Sequence, residues 1–206
     1  MGELVVWNAR VHYCYPWQLE FRDFIVFDRV YRINQTPKKS IGSVAWDTCW
    51  ILSKLLENKE VVDIKDKRVI ELGAGTGLVS IVAGSQGAKI IATDLPSEIE
   101  LLQKNVTENL DEKQQENVSV QALEWGNTEQ LDKLDDTVFD YILCSDVVYI
   151  PETFKDLHKT LMRLCRDTTV IYMAYKKRYH KEEKFFHIIN PDFDVERLPQ
   201  TMLPKD

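Results

Sequence analysis

The sequence predicts an α/β fold with a mostly parallel sheet covered by helices on both faces. Two observations lead there. From Lys67 onward, short apolar runs of strand length alternate with longer amphipathic segments, the pattern that successive βαβ units leave in a sequence. One of the junctions, Val69-Ile70-Glu71-Leu72-Gly73-Ala74-Gly75-Thr76-Gly77-Leu78, passes from a buried run to a helical one through three glycines, the context that a ligand-binding glycine loop requires. A chain of 206 residues is long enough for such a sheet around one core.

Taken in order, Leu19 to Asn34 alternates charged and apolar side chains; a period of two predicts two short strands, a hairpin ahead of the main domain. The expected organisation is an N-terminal extension over residues 1–40 and a main domain over 41–206. Gln35 to Ser40 is a polar connection containing a proline. Trp46 to Leu56 carries Trp46, Trp50, Ile51, Leu55 and Leu56 near helical spacing. Strands are expected over Arg68 to Leu72, Lys89 to Thr93, Val118 to Leu123, from Tyr141 to Cys144 and over Thr169 to Ala174, with Phe193 to Leu198 as a sixth. Helices are expected over Leu78 to Ser85, Glu98 to Asn109, Phe154 to Cys165 and Glu182 to Ile189. After Leu198 come two prolines and no β-rich run, so a further closing strand is not expected.

The glycine loop is the strongest local signal. Glycines permit a tight turn with unusual φ and let the backbone approach a ligand with no Cβ between them. Twenty-one residues after Gly73 the next strand ends in Asp94, whose ionised carboxylate can accept both hydroxyls of a ribose. Dinucleotide binders use GxGxxG or GxGxxA, the last small residue allowing close helix–strand packing. Here that position is Leu78, and the third glycine comes one residue earlier, at Gly77. A nicotinamide enzyme and a glycine turn without a ligand remain as alternatives.

Further motifs narrow the reading. Ser43-Val44-Ala45-Trp46-Asp47 precedes the loop, Leu123-Glu124-Trp125-Gly126 closes the third strand of the domain, and Ser145-Asp146-Val147-Val148-Tyr149 ends the fourth. With Glu71 to Gly77 and Asp94-Leu95-Pro96, the chain resembles the class I S-adenosylmethionine-dependent methyltransferases, within them family 16 and its methyltransferase-like 21 branch, over about Ser40 to Arg178. The resemblance implies a seven-strand, Rossmann-like sheet with S-adenosyl-L-methionine as cofactor, released as S-adenosyl-L-homocysteine. The implied activity is protein-lysine N-methylation of a folded partner of the chaperone, AAA ATPase or elongation factor class. It also implies roles by position. Trp46 lies beside the cofactor, Gly73 approaches its methionine part, Asp94 holds the ribose, Trp125 packs by the adenine and Ser145 sits near the sulfonium. Glu71, Gly75, Gly77 and Leu95 complete the cofactor set. Asp146 and Tyr149 match a DxxY motif that faces the acceptor lysine, with Val147 and Val148 where methyltransferases of planar nitrogens carry two prolines. Arg178 matches an arginine common in the branch.

The chemistry suits those roles. A lysine amine, with an ordinary pKa near 10.4, must lose a proton before it can attack, and a desolvated pocket beside a cation favours the neutral amine. Asp146 can then orient the amine by a hydrogen bond, and Tyr149 can wall the channel and stabilise positive charge with its ring face. Blander readings stand beside these: Asp146 as a cap, Tyr149 and Trp125 as packing, and Trp46 as core with Trp50. Rival functions are a small-molecule or nucleic-acid methyltransferase on the same fold, and a non-catalytic scaffold.

Composition bounds the partners. A net charge of −7 counts against nucleic acid and suits a lysine-bearing protein. Cys14, Cys49, Cys144 and Cys165 form no CxxC pair, and His12, His158, His180 and His187 keep no ligand spacing, so no metal is expected; Cys144 and Cys165 read as reduced core residues. No apolar run approaches the roughly 20 residues that span a bilayer, and no signal-peptide pattern opens the chain. A monomeric cytoplasmic protein, also nuclear, is expected, with the sequons at Asn105 and Asn117 coincidental. The aromatic Trp7, Tyr13, Tyr15 and Trp17 are expected to pack on the domain or to form part of a recognition surface.

Overall fold

A computed structural model describes residues 18–177, 181–199 and 202. Trp7, His12, Tyr13, Cys14, Tyr15, Trp17, Arg178 and His180 lie outside the described residues. The chain opens with β1 (Phe21–Val26) and β2 (Arg29–Asn34), followed by α1 (Asp47–Leu55). Then come β3 (Arg68–Leu72), α2 (Leu78–Ser85), β4 (Lys89–Asp94), α3 (Ile99–Asn109), a short α4 (Glu112–Gln115) and β5 (Val118–Ala122). A short α5 (Thr128–Asp132), β6 (Tyr141–Ser145), a 3-10 turn at Pro151–Thr153, α6 (Phe154–Leu164), β7 (Val170–Ala174) and α7 (Lys181–Ile189) complete it.

The five strands β3 to β7 form one parallel sheet in the order β5-β4-β3-β6-β7, and β1 and β2 form a separate antiparallel hairpin. Period-two alternation assigns each central side chain to a face. Val69, Ile90, Ala92 and Leu143 pack with α1, α2, α3 and the inner face of the hairpin, whereas Ile70, Leu72, Ile142 and Cys144 pack with α6 and α7. Helix α6 reads as one apolar stripe, with Phe154, Leu157, Leu161 and Leu164 buried at helical spacing.

One expectation is corrected. Residues 193–198 form no strand; only Phe193 and Leu198 are partly buried in this segment, and the turn after α7 begins with Asp192 and Phe193 both donating to the Ile189 carbonyl. The seven-strand sheet is therefore represented, among the described residues, by five parallel strands. Helices α4 and α5 were too short for periodicity to reveal, yet each begins with a recognisable cap. Asp111 and Gln114 form a reciprocal capping box, and Asn127 accepts from the Gln130 amide. No helix among the described residues is long and apolar enough to cross a membrane.

The hairpin is part of the same core. Phe24, Val26, Tyr31 and Ile33 are buried with the side chains of α1 and α2. Its tip, Phe27-Asp28, holds φ of 50° and 55°, the left-handed pair that a two-residue hairpin turn of matching twist needs. The Phe27 amide donates to Glu57 Oε1 at 2.6 Å. The other end is tied down by Asn105, a fully buried residue of α3. Asn105 Oδ1 accepts from the Asn34 backbone amide and side-chain amide, both at 2.9 Å. Its Nδ2 donates to the carbonyls of Asn34 (3.0 Å) and Thr76 (2.9 Å). One side chain thus joins the hairpin, α3 and the end of the glycine loop with its full hydrogen-bonding capacity used, which leaves no free amide at this sequon.

Replacing Asn105 by alanine orphans several buried groups at once, each costing about 1–3 kcal/mol. We expect a loss of at least about 2 kcal/mol in urea unfolding, and a larger one for Asn105→Asp, which buries a charge and removes both donors; a loss under about 0.5 kcal/mol would contradict this.

Candidate active site

The chain runs from β3 to β4 and β5 on one side of the sheet and to β6 and β7 on the other, so β3 lies at the point where strand order reverses. Ligands of open α/β sheets bind beyond the carboxyl ends of the strands at such a point. A cleft of about 680 Å³ lies there, within the usual range for small-molecule sites. Its walls come from the loops after β3 (Gly73 to Thr76), β4 (Asp94, Leu95), β5 (Leu123 to Trp125) and β6 (Ser145 to Val147), and from residues 40–46.

Of the predicted site residues, Trp46, Gly73, Gly75, Asp94, Leu95, Trp125, Ser145, Asp146 and Tyr149 line this cleft, and Glu71 and Gly77 do not. Gly77 has φ of 91° and begins α2; a Cβ there would lie 2.4 Å from Leu102 Cδ1. It is small so that α2 and α3 can approach. Glu71 shares a strand face with Val69 and so points into the helical layer, fully buried. Its Oε2 accepts from the Ser80 hydroxyl at 2.5 Å, while Oε1 finds no partner among the described residues. Desolvation raises its pKa to about 8 against the opposing Ser80 hydrogen bonds, with a smaller contribution from the Asp94 charge.

The remaining loop glycines face the cleft. Gly73, at φ 69°, has Val147 Cγ1 3.0 Å and Trp125 Cζ2 3.2 Å from its would-be Cβ. Gly75, at φ 56°, faces the Gly42 carbonyl oxygen at 2.8 Å in the same sense. The Gly75 amide donates to Asp94 Oδ2 at 2.6 Å and the Leu95 amide to Oδ1 at 2.7 Å. Asp94 is thus held by one backbone bond per oxygen, each oxygen retaining a lone pair. Burial raises the Asp94 carboxyl, opposed by those two amides. Trp46 precedes α1 and donates its indole N–H to the Ile41 carbonyl at 3.0 Å, while Trp50 packs against the core. Trp125 is half-buried beside Gly73, and the following Gly126 amide donates to Thr160 of α6 at 2.8 Å.

Asp146 is the other unusual backbone. It holds φ of 55° directly after β6, with its amide donating to the Ala174 carbonyl at 2.8 Å, and it is 7% exposed. Left-handed φ in a non-glycine residue is strained and gathers at functional sites. It does not begin a helix: the next helical turn starts at Pro151. The Tyr149 hydroxyl is raised by burial and then by the charges of Asp94, Asp146 and Glu98.

Reading the sequence did not single out Gly42 or Glu98. Gly42 fell between the polar connection ending at Ser40 and the motif starting at Ser43, and Glu98 looked like the first residue of an amphipathic helix. The lining contains five carboxylates (Asp94, Glu98, Glu124, Asp146 and Asp156) and, among the described residues, no lysine, arginine or histidine. No group of three or more histidine, cysteine, aspartate or glutamate side chains among the described residues is placed to hold a metal ion.

Known proteins are similar to this chain over most of its length. A family model for lysine methyltransferases matches residues 27–192. The chain is 39% identical to protein N-lysine methyltransferase METTL21A of Danio rerio over 177 residues, spanning 85% of this chain and 80% of that protein. It is 42% identical to protein-lysine methyltransferase METTL21E of Bos taurus over 171 residues, spanning 81% of this chain but only 58% of the bovine protein. With EEF1A lysine methyltransferase 3 of Xenopus tropicalis it shares 35% identity over 170 residues, 81% of this chain and 73% of that one. Among solved structures, a SAM-dependent methyltransferase from Agrobacterium tumefaciens has a TM-score of 0.56 at 15% identity, covering 82% of this chain and 58% of that one. SMU.776 complexed with SAH has a TM-score of 0.62 at 13% identity, over 90% of this chain and 52% of the other. At these identities the structural likeness concerns the fold.

The buried Glu71 generates a pH prediction. Its pKa is raised in the folded state, so the stability tied to its protonated form is complete below the ordinary range near 4.5 and is lost as pH rises through about 8. Glu71→Gln stays neutral throughout. Its stability relative to wild type should climb between about pH 5 and about pH 8, by on the order of 1 kcal/mol per pH unit, in parallel urea titrations; a flat difference would refute the buried neutral acid.

Proposed function

Since the chain belongs to the lysine methyltransferase family, we propose that it methylates a lysine side chain of a folded protein partner, with S-adenosyl-L-methionine as methyl donor. The observation that carries this reading is the acid-lined cleft at the carboxyl ends of the strands, free of lysine, arginine and histidine among the described residues. Both ligands it must take, a sulfonium and a lysine ammonium, are cations. A phosphate-bearing acceptor would meet carboxylates and no positive side chain on these walls.

The residues present fit the cofactor. Gly73 and Gly75 leave backbone where side chains would intrude, and Asp94 presents two carboxylate oxygens fixed by the Gly75 and Leu95 amides. Trp125 and Leu95 offer apolar surface for an adenine, and Trp46 and Ser145 complete the wall. Bound there, S-adenosylmethionine supplies an electrophilic methyl and leaves as S-adenosylhomocysteine.

The acceptor side belongs to Asp146 and Tyr149. The lysine arrives as ammonium, and desolvation beside the cofactor's sulfonium charge favours its neutral form against the pull of the lining carboxylates. The Asp146 carboxylate accepts a hydrogen bond from the amine and fixes the direction of its lone pair, and positioning of this kind is the larger part of the catalysis. Water at the cleft mouth takes the proton. The Tyr149 ring closes one side of the channel. The partner is of the chaperone, AAA ATPase or elongation factor class, in keeping with the elongation factor named for the Xenopus relative.

The test is methyl transfer from labelled S-adenosylmethionine into a cell extract by wild type, Asp146→Ala and Asp94→Ala. One labelled protein, mapped to a single lysine and lost in the Asp146 variant, is the expected result; label confined to RNA or small metabolites would overturn the lysine assignment. Asp146→Ala should lower kcat on the order of 100-fold and leave S-adenosylhomocysteine affinity within about twofold, whereas Asp94→Ala should weaken that affinity by about tenfold or more. Equal losses of affinity in both variants would dissolve this division of roles.

A further inference from the structure

The hairpin of β1 and β2 has one sealed edge and one open edge. In an antiparallel pair, alternate residues turn their backbone groups towards the partner strand and away from it. The Gln35 amide donates to the Glu20 carbonyl at 2.7 Å, and the register that continues from there pairs Arg22 with Ile33 and Phe24 with Tyr31. The backbone groups of Arg32 and Asn34 therefore point away from β1, and those of Phe21, Asp23 and Ile25 point away from β2. Helix α3 takes up the first set: Asn105 holds the Asn34 amide and carbonyl, and Asn109 Nδ2 donates to the Arg32 carbonyl at 2.9 Å. The second set has no hydrogen-bond partner among the described residues. An open row of this kind is a template for another strand.

The face of the hairpin turned away from the core is also uncovered. Ile25 and Val30 stand directly opposite each other and are 60% and 59% exposed. Phe21 is exposed at the other end, with the Arg32 guanidinium 4.4 Å from its ring centroid, and Asp23 holds Arg32 by two bonds of 2.8 Å. From the tip downward this face runs aliphatic, charged, aromatic.

The chain itself supplies a matching strand. Residues 1–17 precede the described part, and the chain bends at Leu19 and Glu20 on its way into β1, where Gln35 Nε2 holds the Leu19 carbonyl at 2.8 Å. Val11, Tyr13 and Tyr15 stand two apart just ahead of Pro16, β-forming side chains at strand period. We propose that residues 11–15 form a third, antiparallel strand on the open edge of β1, with Tyr15 opposite Phe21, Tyr13 opposite Asp23 and Val11 opposite Ile25. Pro16 to Glu20 are then a five-residue hairpin loop, an ordinary length. Every outward amide and carbonyl of β1 gains a partner, and each row of the outer face is extended. Val11 joins Ile25 and Val30, Tyr15 joins Phe21, and Tyr13 lies beside the Asp23–Arg32 pair. A second copy centred on the same edge would instead set Asp23 opposite the same residue of the other chain, like charges face to face. Because β1 also carries Arg22, which holds the Ala45 carbonyl of the cleft wall at 2.5 Å, the third strand braces the element that positions that wall.

The test is NMR on the full chain, reading amide exchange residue by residue. Arg22 and Phe24 donate into β2 whatever lies at the edge, so they are internal controls. In wild type the Phe21, Asp23 and Ile25 amides should be protected by about 100-fold or more over unpaired amides, independently of protein concentration. Tyr13→Pro, which removes a donor from the middle of the new strand, should abolish that protection and leave Arg22 and Phe24 protected. Close Hα–Hα contacts of Cys14 with Arg22 and of His12 with Phe24, the non-hydrogen-bonded pairs of this register, identify the segment in wild type even if the proline variant does not fold. Exposed amides at 21, 23 and 25 in wild type would overturn the proposal and leave the edge to a strand of another protein. Protection that grows with protein concentration would assign the edge to a second copy, and protection that survives Tyr13→Pro without those Hα contacts would assign it to another segment; either result overturns the proposal as well.

Discussion

The side chain of Asn105 is the constraint on which the rest of this architecture leans. A parallel sheet with helices on both faces builds the floor of a cleft and nothing more. The upper wall here comes from residues 40–46, which hang between the hairpin and α1. Their position is set at one end by Arg22, which donates to the Ala45 carbonyl and pairs with Asp47 at 3.1 Å, and by Gln35, whose Oε1 accepts from the Ala45 amide at 2.8 Å. All of this depends on the hairpin being seated in one register on α3, and Asn105 does the seating with four hydrogen bonds that also reach Thr76 of the glycine loop. A fully satisfied buried amide specifies a single arrangement more sharply than apolar packing of the same area does.

Most of the fold was legible because its signals are local. Apolar runs and amphipathic spacing located every strand from β3 to β7 to within a residue or two, and the hairpin's alternation was equally plain. Glycines at 73 and 75 and the carboxylate at 94 were legible as neighbours in one cleft because backbone conformation and strand register bring them together. Gly77 and Glu71 belong to the same motif but face inward, one because α3 needs the space and one because strand alternation turns it towards Ser80. Spacing along a sequence does not distinguish a residue that touches a ligand from one that supports the loop. Glu98 and Gly42 illustrate the opposite failure. Each had an ordinary local explanation, and only their meeting across more than fifty residues of chain makes them part of one wall. The expected strand over residues 193–198 failed for want of something to bury: alternation without a packing partner is not a strand.

The overall charge of −7 and the charge of the cleft are different facts. Many of the acidic residues are on the surface in ordinary ion pairs, such as Asp135 with Arg163 and Asp23 with Arg32, which are worth little individually. Inside the cleft, burial disfavours the ionised form of Asp94, and the neighbouring Glu98 charge adds to the effect. A cationic ligand relieves both penalties.

The left-handed backbone at Asp146 has a consequence for anyone redesigning this chain. A procedure that scored only folded-state stability would write glycine at that position, since glycine adopts such a φ without the Cβ clash that aspartate must tolerate. It would gain robustness and erase the carboxylate on which the proposed chemistry turns. Position 146 is thus a place where optimising the scaffold and preserving the catalyst pull in opposite directions, and a thermostabilised version of this protein should be engineered around it, leaving that one residue as the sequence wrote it.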